Sequence, residues 1–379
     1  MTNAAVEHIE KLVVVGDYSD HDFYQRNRVL VDLFRERSIH TAFVGRRKQG
    51  ASHTLSVWSS WTERLSSVFL GGLAILRNRK QISSADLVFV PYPAYFPLLW
   101  LRLLGCAGAS MVVADAFLEL QSTVVDDRKM VAKGSLSERL LLAFQKFTLA
   151  CADRLLIDTE PQRECLEAAL GSARPEIVAI PVGIDEEQWT PMPQAPIVER
   201  VTAIFWGTLI PLHGVEVIVD AAEILEKEGV PIDIVLVGDG QFADQLAERL
   251  RQKQLASLTW VRSLLETKEL RLRVSSAHIC LGIFGGSQKA ASVVPYKVHQ
   301  ALAANRAVIT RASPALADSF NEESGLIACA PEDPHALATS ISQLAARLRQ
   351  GWKPQTRSIY DARFSRRVLR DRLEQVLPS

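Results

Sequence analysis

The stretch VTAIFWGTLIPLHGVEVIVDAAEILEKEGVPIDIVLVGDGQ, residues 201–241, decides how this chain is read. Val201 to Trp206 is an apolar run rich in β-formers, Gly207 to Gly214 carries turn residues, and Val215 to Lys227 places apolar residues at helical spacing. A second apolar strand, Ile232 to Val237, runs into Gly238-Asp239-Gly240. The pattern predicts a βαβ unit. A loop that leaves a parallel strand and opens a helix aims free N–H groups and the positive end of the helix dipole at its guest, which favours phosphate. Gly207 and Gly214 alone are equally consistent with two tight turns, so the rest of the chain has to decide.

Outward from this unit, strands are expected near Val201, Ile232, Leu258, Ile279 to Ile283, Ala307 and Leu326, alternating with helices. The first half alternates too. Its strands are expected at Lys11 to Val15, Thr41 to Val44, Leu87 to Val90, Met111 to Ala114, Arg154 to Asp158 and Glu176 to Ile180. Its helices are expected at Tyr24 to Arg37, Ser135 to Ala152 and Pro161 to Leu170. Such alternation predicts α/β domains with parallel sheets covered on both faces. WTPMPQAPIVE, residues 189–199, has three prolines and no periodicity, which suits a linker. The division expected is therefore 1–188, a linker at 189–199, 200–352, and a tail at 353–379 whose single charged helix, Pro354 to Leu377, packs back on the first domain.

With 379 residues, two domains are the natural size. Lys+Arg and Asp+Glu both number 43 and no long basic block occurs, so nothing points to nucleic acid. The five cysteines are odd in number and widely spaced, the pattern of reduced thiols in a cytosolic protein, and no zinc spacing is present. The first apolar run, LVVV, is too short for a signal peptide, and Leu87 to Leu101 holds three prolines and is too short to span a bilayer.

Four motifs in series carry a resemblance. IVAIPVGIDEEQW (177–189), FWGTLIPLHGVE (205–216), LVGDGQ (236–241) and VVPYKVHQALAANRAVIT (293–310) resemble, in order and spacing, segments of glycosyltransferase family 4. The helix segment is similar to a subset carrying P-x-K-V-x-x-A-L-A. The resemblance covers the second half well and the first half loosely. It implies the GT-B fold, two doubly wound Rossmann-like domains facing across a cleft. It further implies retaining, metal-independent transfer of a sugar from a nucleotide diphosphate sugar to a hydroxyl acceptor, with no cofactor and no protein nucleophile.

The chain departs from that family where charge matters. Thr208 and His213 stand where an arginine and a lysine usually hold the diphosphate, and Ser292 and Gln300 replace a usual pair of glutamates. Losing such clamps weakens stabilisation of a diphosphate leaving group by roughly a few kcal/mol unless other groups replace them. The replacements expected are Lys289, Lys297 and the terminus of the helix that opens at Pro295, with His213 as a further donor when protonated. Gly207, Thr208 and Gly214 would shape the phosphate turn, Gly285, Gly286 and Ser287 would offer backbone to sugar or phosphate, and Gln300 would hold the ribose. On the acceptor side, the loop Gly16 to Asn27 offers Asp17, His21, Tyr24, Arg26 and Asn27. Asp115, ending the strand MVVA, is a candidate catalytic carboxylate with Arg128 as its partner. Each of these also has an ordinary structural reading as a cap, loop or surface residue.

No H-E-x-x-H, G-x-S-x-G, Walker lysine loop or dinucleotide glycine fingerprint is present. The resemblance points to cell-surface polysaccharide or glycolipid synthesis in the cytoplasm. Val57 to Lys80, with Trp58, Trp61, Phe69 and Leu70 ahead of Arg77, Arg79 and Lys80, is either a peripheral membrane contact or a core helix with a solvated end. A rival reading from another class is a GT-B binding or scaffolding protein without activity, motivated by the four departures.

Overall fold

The computed structural model describes residues 9–19, 25–48, 61–108, 110–117, 131–171 and 175–377, with only the backbone of 61–65. The chain divides into two compact units. Of the described residues, those from 9 to 117 and from 131 to 183, joined by 369 to 377, form the first, and Ile184–Val368 form the second.

The first unit contains β1 (Ile9–Val15), β2 (Tyr18–Ser19), α1 (Gln25–Glu36), β3 (Ser38–Val44), β4 (Arg47–Lys48), α2 (Trp61–Arg77) and α3 (Arg79–Ser83). It continues with β5 (Leu87–Val90), α4 (Tyr95–Leu103), β6 (Met111–Asp115), α5 (Leu136–Leu149), β7 (Arg154–Ile157), α6 (Glu160–Leu170) and β8 (Glu176–Ala179). Six strands pair in parallel in the order β3-β1-β5-β6-β7-β8, and β2 pairs with β4. Alternate residues of β1 serve opposite cores: Val13 and Val15 pack with Val88 and Leu155, whereas Leu12 and Val14 pack with Leu30 and Phe34. Both faces are dry, which is why the strands read as continuous apolar runs. Helix starts are capped as their sequences dictate. The Ser135 hydroxyl accepts from Glu138 N at 3.2 Å, and the Thr159 hydroxyl accepts from Gln162 N at 3.3 Å.

The second unit contains β9 (Val201–Trp206), α7 (Val215–Lys227), β10 (Ile232–Val237), α8 (Ala243–Lys253), β11 (Leu258–Val261), α9 (Thr267–Ser276) and β12 (Ile279–Leu281). After these come α10 (Gln288–Ser292), α11 (Tyr296–Ala303), β13 (Ala307–Arg311), β14 (Leu326–Cys329), α12 (Pro334–Arg349) and α13 (Thr356–Arg363). Its parallel order is β11-β10-β9-β12-β13-β14. The chain winds outward from β9 through β10 and β11, then returns to place β12 on the other side of β9. The ends of β9 and β12 therefore border the point where winding reverses, the place at which open α/β sheets leave a crevice. Val201, Ala203 and Phe205 enter the core under α7 and α12, while Ile204 and Trp206 enter the one under α11 and α13.

Three sequence expectations are corrected. The tail is two helices, α13 and α14 (Arg366–Leu373), because the Glu186 carboxylate accepts from Arg366 N at 2.6 Å and so gives α14 its own start. Leu369 and Leu373 of α14 are fully buried in the first unit's core. The strand expected to reach Ile283 ends at Leu281, where the Ile283 N–H turns to the Thr310 hydroxyl at 3.2 Å. Finally, the chain passes between units at Gly183–Ile184, and Trp189 is not in a linker but fully buried against Trp206, the rings stacked at 6.5 Å.

Candidate functional site

The loop after β9 begins at Gly207, whose φ of +139° suits glycine. A Cβ there would sit 3.1 Å from Lys297 Nζ and 3.2 Å from His213 Cε1, so the missing side chain makes room for both groups. Pro211–His213 form one 3₁₀ turn, and Gly214, at φ +60°, opens α7. A Cβ on Gly214 would meet Gly285 N and Phe284 C at 2.6 Å, so this loop and the one after β12 lie backbone against backbone. The Phe284 N–H donates to His213 O at 3.0 Å and fixes that approach.

Lys297 belongs to the first turn of α11, for which Pro295 is the N-cap residue. Its side chain is buried, with Nζ 3.9 Å from the centre of the Phe205 ring and without a hydrogen-bond partner among the described residues. Burial holds the Lys297 ammonium well below the usual lysine range. A buried cation with a ring on one side is stabilised only in part.

His213 lies beside it, edge-on to Phe205 at 5.6 Å between ring centres. Its Nδ1 faces the Thr208 carbonyl oxygen, so Nδ1 carries the hydrogen and Nε2 changes role with protonation. Gln300, one turn beyond Lys297, accepts from Trp206 Nε1 at 2.9 Å through its side-chain oxygen. That contact uses one of the two lone pairs of the oxygen, so the second lone pair and the NH₂ group are what the expected ribose role can draw on.

The loop after β12 is held from below. Arg311, at the end of β13, donates to the carbonyl oxygens of Gly285 and, at 3.3 Å, Ser287. Burial lowers the Arg311 pKa, and the Glu332 carboxylate opposes that shift. Glu332 occupies the space where Gly286 has no side chain, and Ser287 caps α10 by accepting from Ala290 N at 3.1 Å. Lys289 lies buried within α10, as does Ser292. Sequence reading missed Arg311 and Glu332. A charged residue closing the apolar strand AVITR was the available signal for Arg311, whereas nothing local marks Glu332.

The remaining candidates lie in the first unit. Arg26 and Asp115 face each other, Nε to Oδ2 at 3.0 Å and Nη2 to Oδ1 at 2.9 Å, and both are buried. Arg26 also donates to the Ile180, Pro181 and Ile157 carbonyls at 2.7, 3.2 and 3.1 Å. Burial pushes the Asp115 carboxyl up and Arg26 pulls it back. The pair thereby ties α1 to β6, β7 and the segment after β8. The two residues expected as a catalytic carboxylate and an acceptor-side cation thus meet in one buried pair, which also holds three backbone carbonyls. Asn27 donates to the Tyr92 carbonyl at 2.9 Å, and Asp17 is paired with Arg46 at 3.0 Å. Tyr24, His21, Arg128 and Trp58 lie outside the described residues.

Residues 200–347 match the family model described as Glycosyl transferases group 1. No curated protein matches the chain. Among solved structures it is similar to a sucrose-phosphate synthase from Thermosynechococcus elongatus, at 15% identity and TM-score 0.69 over 97% of this chain and 98% of that one. It is also similar to Anabaena HepE in complex with UDP-glucose, at 12% identity and TM-score 0.68 over 97% and 99%. A glycosyltransferase from Rickettsia africae matches at 11% identity and TM-score 0.62 over 97% of each chain. The chain therefore has the GT-B fold, and residues 200–347 within it match the glycosyl transferases group 1 family.

Proposed function

We propose that the protein is a retaining glycosyltransferase of the family-4 kind that moves a sugar from a nucleotide diphosphate sugar to a hydroxyl acceptor. The observation that carries this reading is Lys297: a buried side-chain nitrogen, without a hydrogen-bond partner among the described residues, against Gly207 and His213, where the winding of the second sheet reverses. A diphosphate there would accept from Lys297 and bring back the charge that burial removes, so ligand and cation stabilise each other. The Gly207–Gly214 and Gly285–Ser287 backbones would frame it, and His213, once protonated, would add a second cation.

In this reading the C1–O bond to the diphosphate breaks as the acceptor oxygen bonds to C1 on the same face. The acceptor proton passes to the departing phosphate oxygen. Lys297 and His213 stabilise the charge that develops on the leaving group, which is where binding energy lowers a barrier. No metal, cofactor or protein nucleophile is assigned a step. Complexes of Anabaena HepE with UDP and with UDP-glucose support a nucleotide-sugar donor. The five free thiols suit the cytoplasm, and an acceptor carried by polysaccharide or glycolipid at the inner membrane face completes the proposal.

The rival, an inactive binding protein, draws on Gln300 and Ser292, which stand where the resemblance expects a pair of glutamates and so carry no charge, and on the bond that Trp206 already makes to the Gln300 side-chain oxygen. Incubation with a panel of UDP-, GDP- and ADP-sugars and lipid or saccharide acceptors separates the two. The proposal expects release of one nucleotide diphosphate and, by NMR, a product that keeps the donor's anomeric configuration. Nucleotide binding without turnover across the panel would favour the rival, and an inverted product would overturn the retaining assignment.

A further inference from the structure

Of twelve exposed large hydrophobic side chains among the described residues, eight lie on three helices of the first unit, α2, α4 and α5. These helices are neighbours. Trp100 of α4 donates to the Val68 carbonyl of α2 at 3.0 Å and lies over Gly72, where a Cβ would come within 2.6 Å of its ring. Phe144 of α5 packs against Tyr95 and Phe96 of α4 at 6.3 and 5.6 Å.

The apolar residues are patterned. On α2, Phe69, Leu70 and Leu76 are exposed with Leu73 half-buried between them, which is helical spacing along one stripe. On α4 the stripe is Phe96 to Leu103, one and three-quarter to two turns apart at about 3.6 residues per turn. Helix α5 carries apolar side chains outward as well as inward. It buries Glu138, Gln145, Thr148 and Leu149 and exposes Leu136, Leu140 and Phe147, the last 56% exposed. A soluble helix with its apolar stripe outward needs an apolar partner.

Charge decides which partner. Arg77 and Lys80 close the α2 stripe, Arg102 lies beside Leu103, and Lys133, Arg139 and Lys146 flank α5. Along 66–108 and 131–150 the only carboxylates are Asp86 and Glu138. Both are committed to backbone, Asp86 accepting from Lys11 N at 2.8 Å and the buried Glu138 from Gly134 N. A basic face in a chain of zero formal charge meets like charge if a second copy lies against it by a two-fold axis. Apolar side chains ringed by Lys and Arg match a bilayer with anionic headgroups instead.

We infer that the joined outer face of α2, α4 and α5 is a docking surface for an anionic lipid membrane. This extends the membrane part of the proposed function from one sequence segment to a three-helix face. It does not depend on catalysis. Among the described residues no helix is long and apolar enough to cross a bilayer, so the contact is at the interface.

The test is flotation of the full chain with vesicles of phosphatidylcholine alone or with one third phosphatidylglycerol, at low and high salt. Two variants, Leu140→Ser/Phe147→Ser and Arg139→Glu/Lys146→Glu, change exposed positions and are checked by melting temperature. Binding is expected to anionic vesicles, to weaken with salt, and to fall by at least about tenfold in each variant at unchanged melting temperature. Equal binding to neutral vesicles, binding unaltered in both variants, or no binding overturns the inference. So does light scattering that shows a dimer dispersed by the variants, which would assign the face to a second copy. Nucleotide-induced thermal shifts, measured in parallel, report the donor site separately.

Discussion

Lys297 decides the chemistry at the smallest scale. Its depressed pKa means that, between that value and the ordinary lysine value, the unfolded chain holds a proton the folded chain lacks. Stability without nucleotide therefore rises with pH across that window. Lys297→Met keeps the volume and removes the buried amine. It should stabilise the nucleotide-free protein at pH 7 by about 1–3 kcal/mol and flatten the rise towards pH 10, as read by urea unfolding over a pH series. A destabilised variant with an unchanged pH profile would show that Lys297 has a partner and is a structural residue. The lysine itself was legible as a charged position inside VVPYKVHQALA. Its seat on Phe205 was not, because the two residues lie 92 positions apart and meet only through strand pairing. The Arg26 partner of Asp115 was equally hidden, because it lies 89 positions away in sequence.

Among the elements, the winding order of each sheet and the short loops after β9 and β12 set the site. Apolar runs and glycines made the strands legible, since burial on both faces leaves little choice of residue. The ends were less so. Helix α14 shows why, because α13 closes at the non-helical Phe364 and α14 starts where the Glu186 carboxylate, far away in sequence, accepts from Arg366 N. Leu373 of α14 is fully buried with Leu12, Leu30 and Phe34. Leu373→Ala should cost about 2–5 kcal/mol in denaturant unfolding while leaving nucleotide affinity intact. A cost under about 0.5 kcal/mol would mean that the tail is not part of the first unit's core.

For the whole molecule, the GT-B fold follows from two alternating βα series, and their order of strands was implied by the resemblance rather than by composition. What the sequence could not show is that one of the four charge-removing departures, His213, shares the space over Gly207 with the buried Lys297 side chain. The central claim is that Lys297 completes a diphosphate site, and calorimetric titration of UDP, GDP and ADP into the protein and Lys297→Met tests it most directly. One nucleotide should bind the wild type with uptake of a proton, revealed by buffers of different ionisation enthalpy. The variant should bind it about 10- to 100-fold more weakly without that uptake. No binding of any nucleotide, or equal affinity and proton uptake in both proteins, would contradict the account.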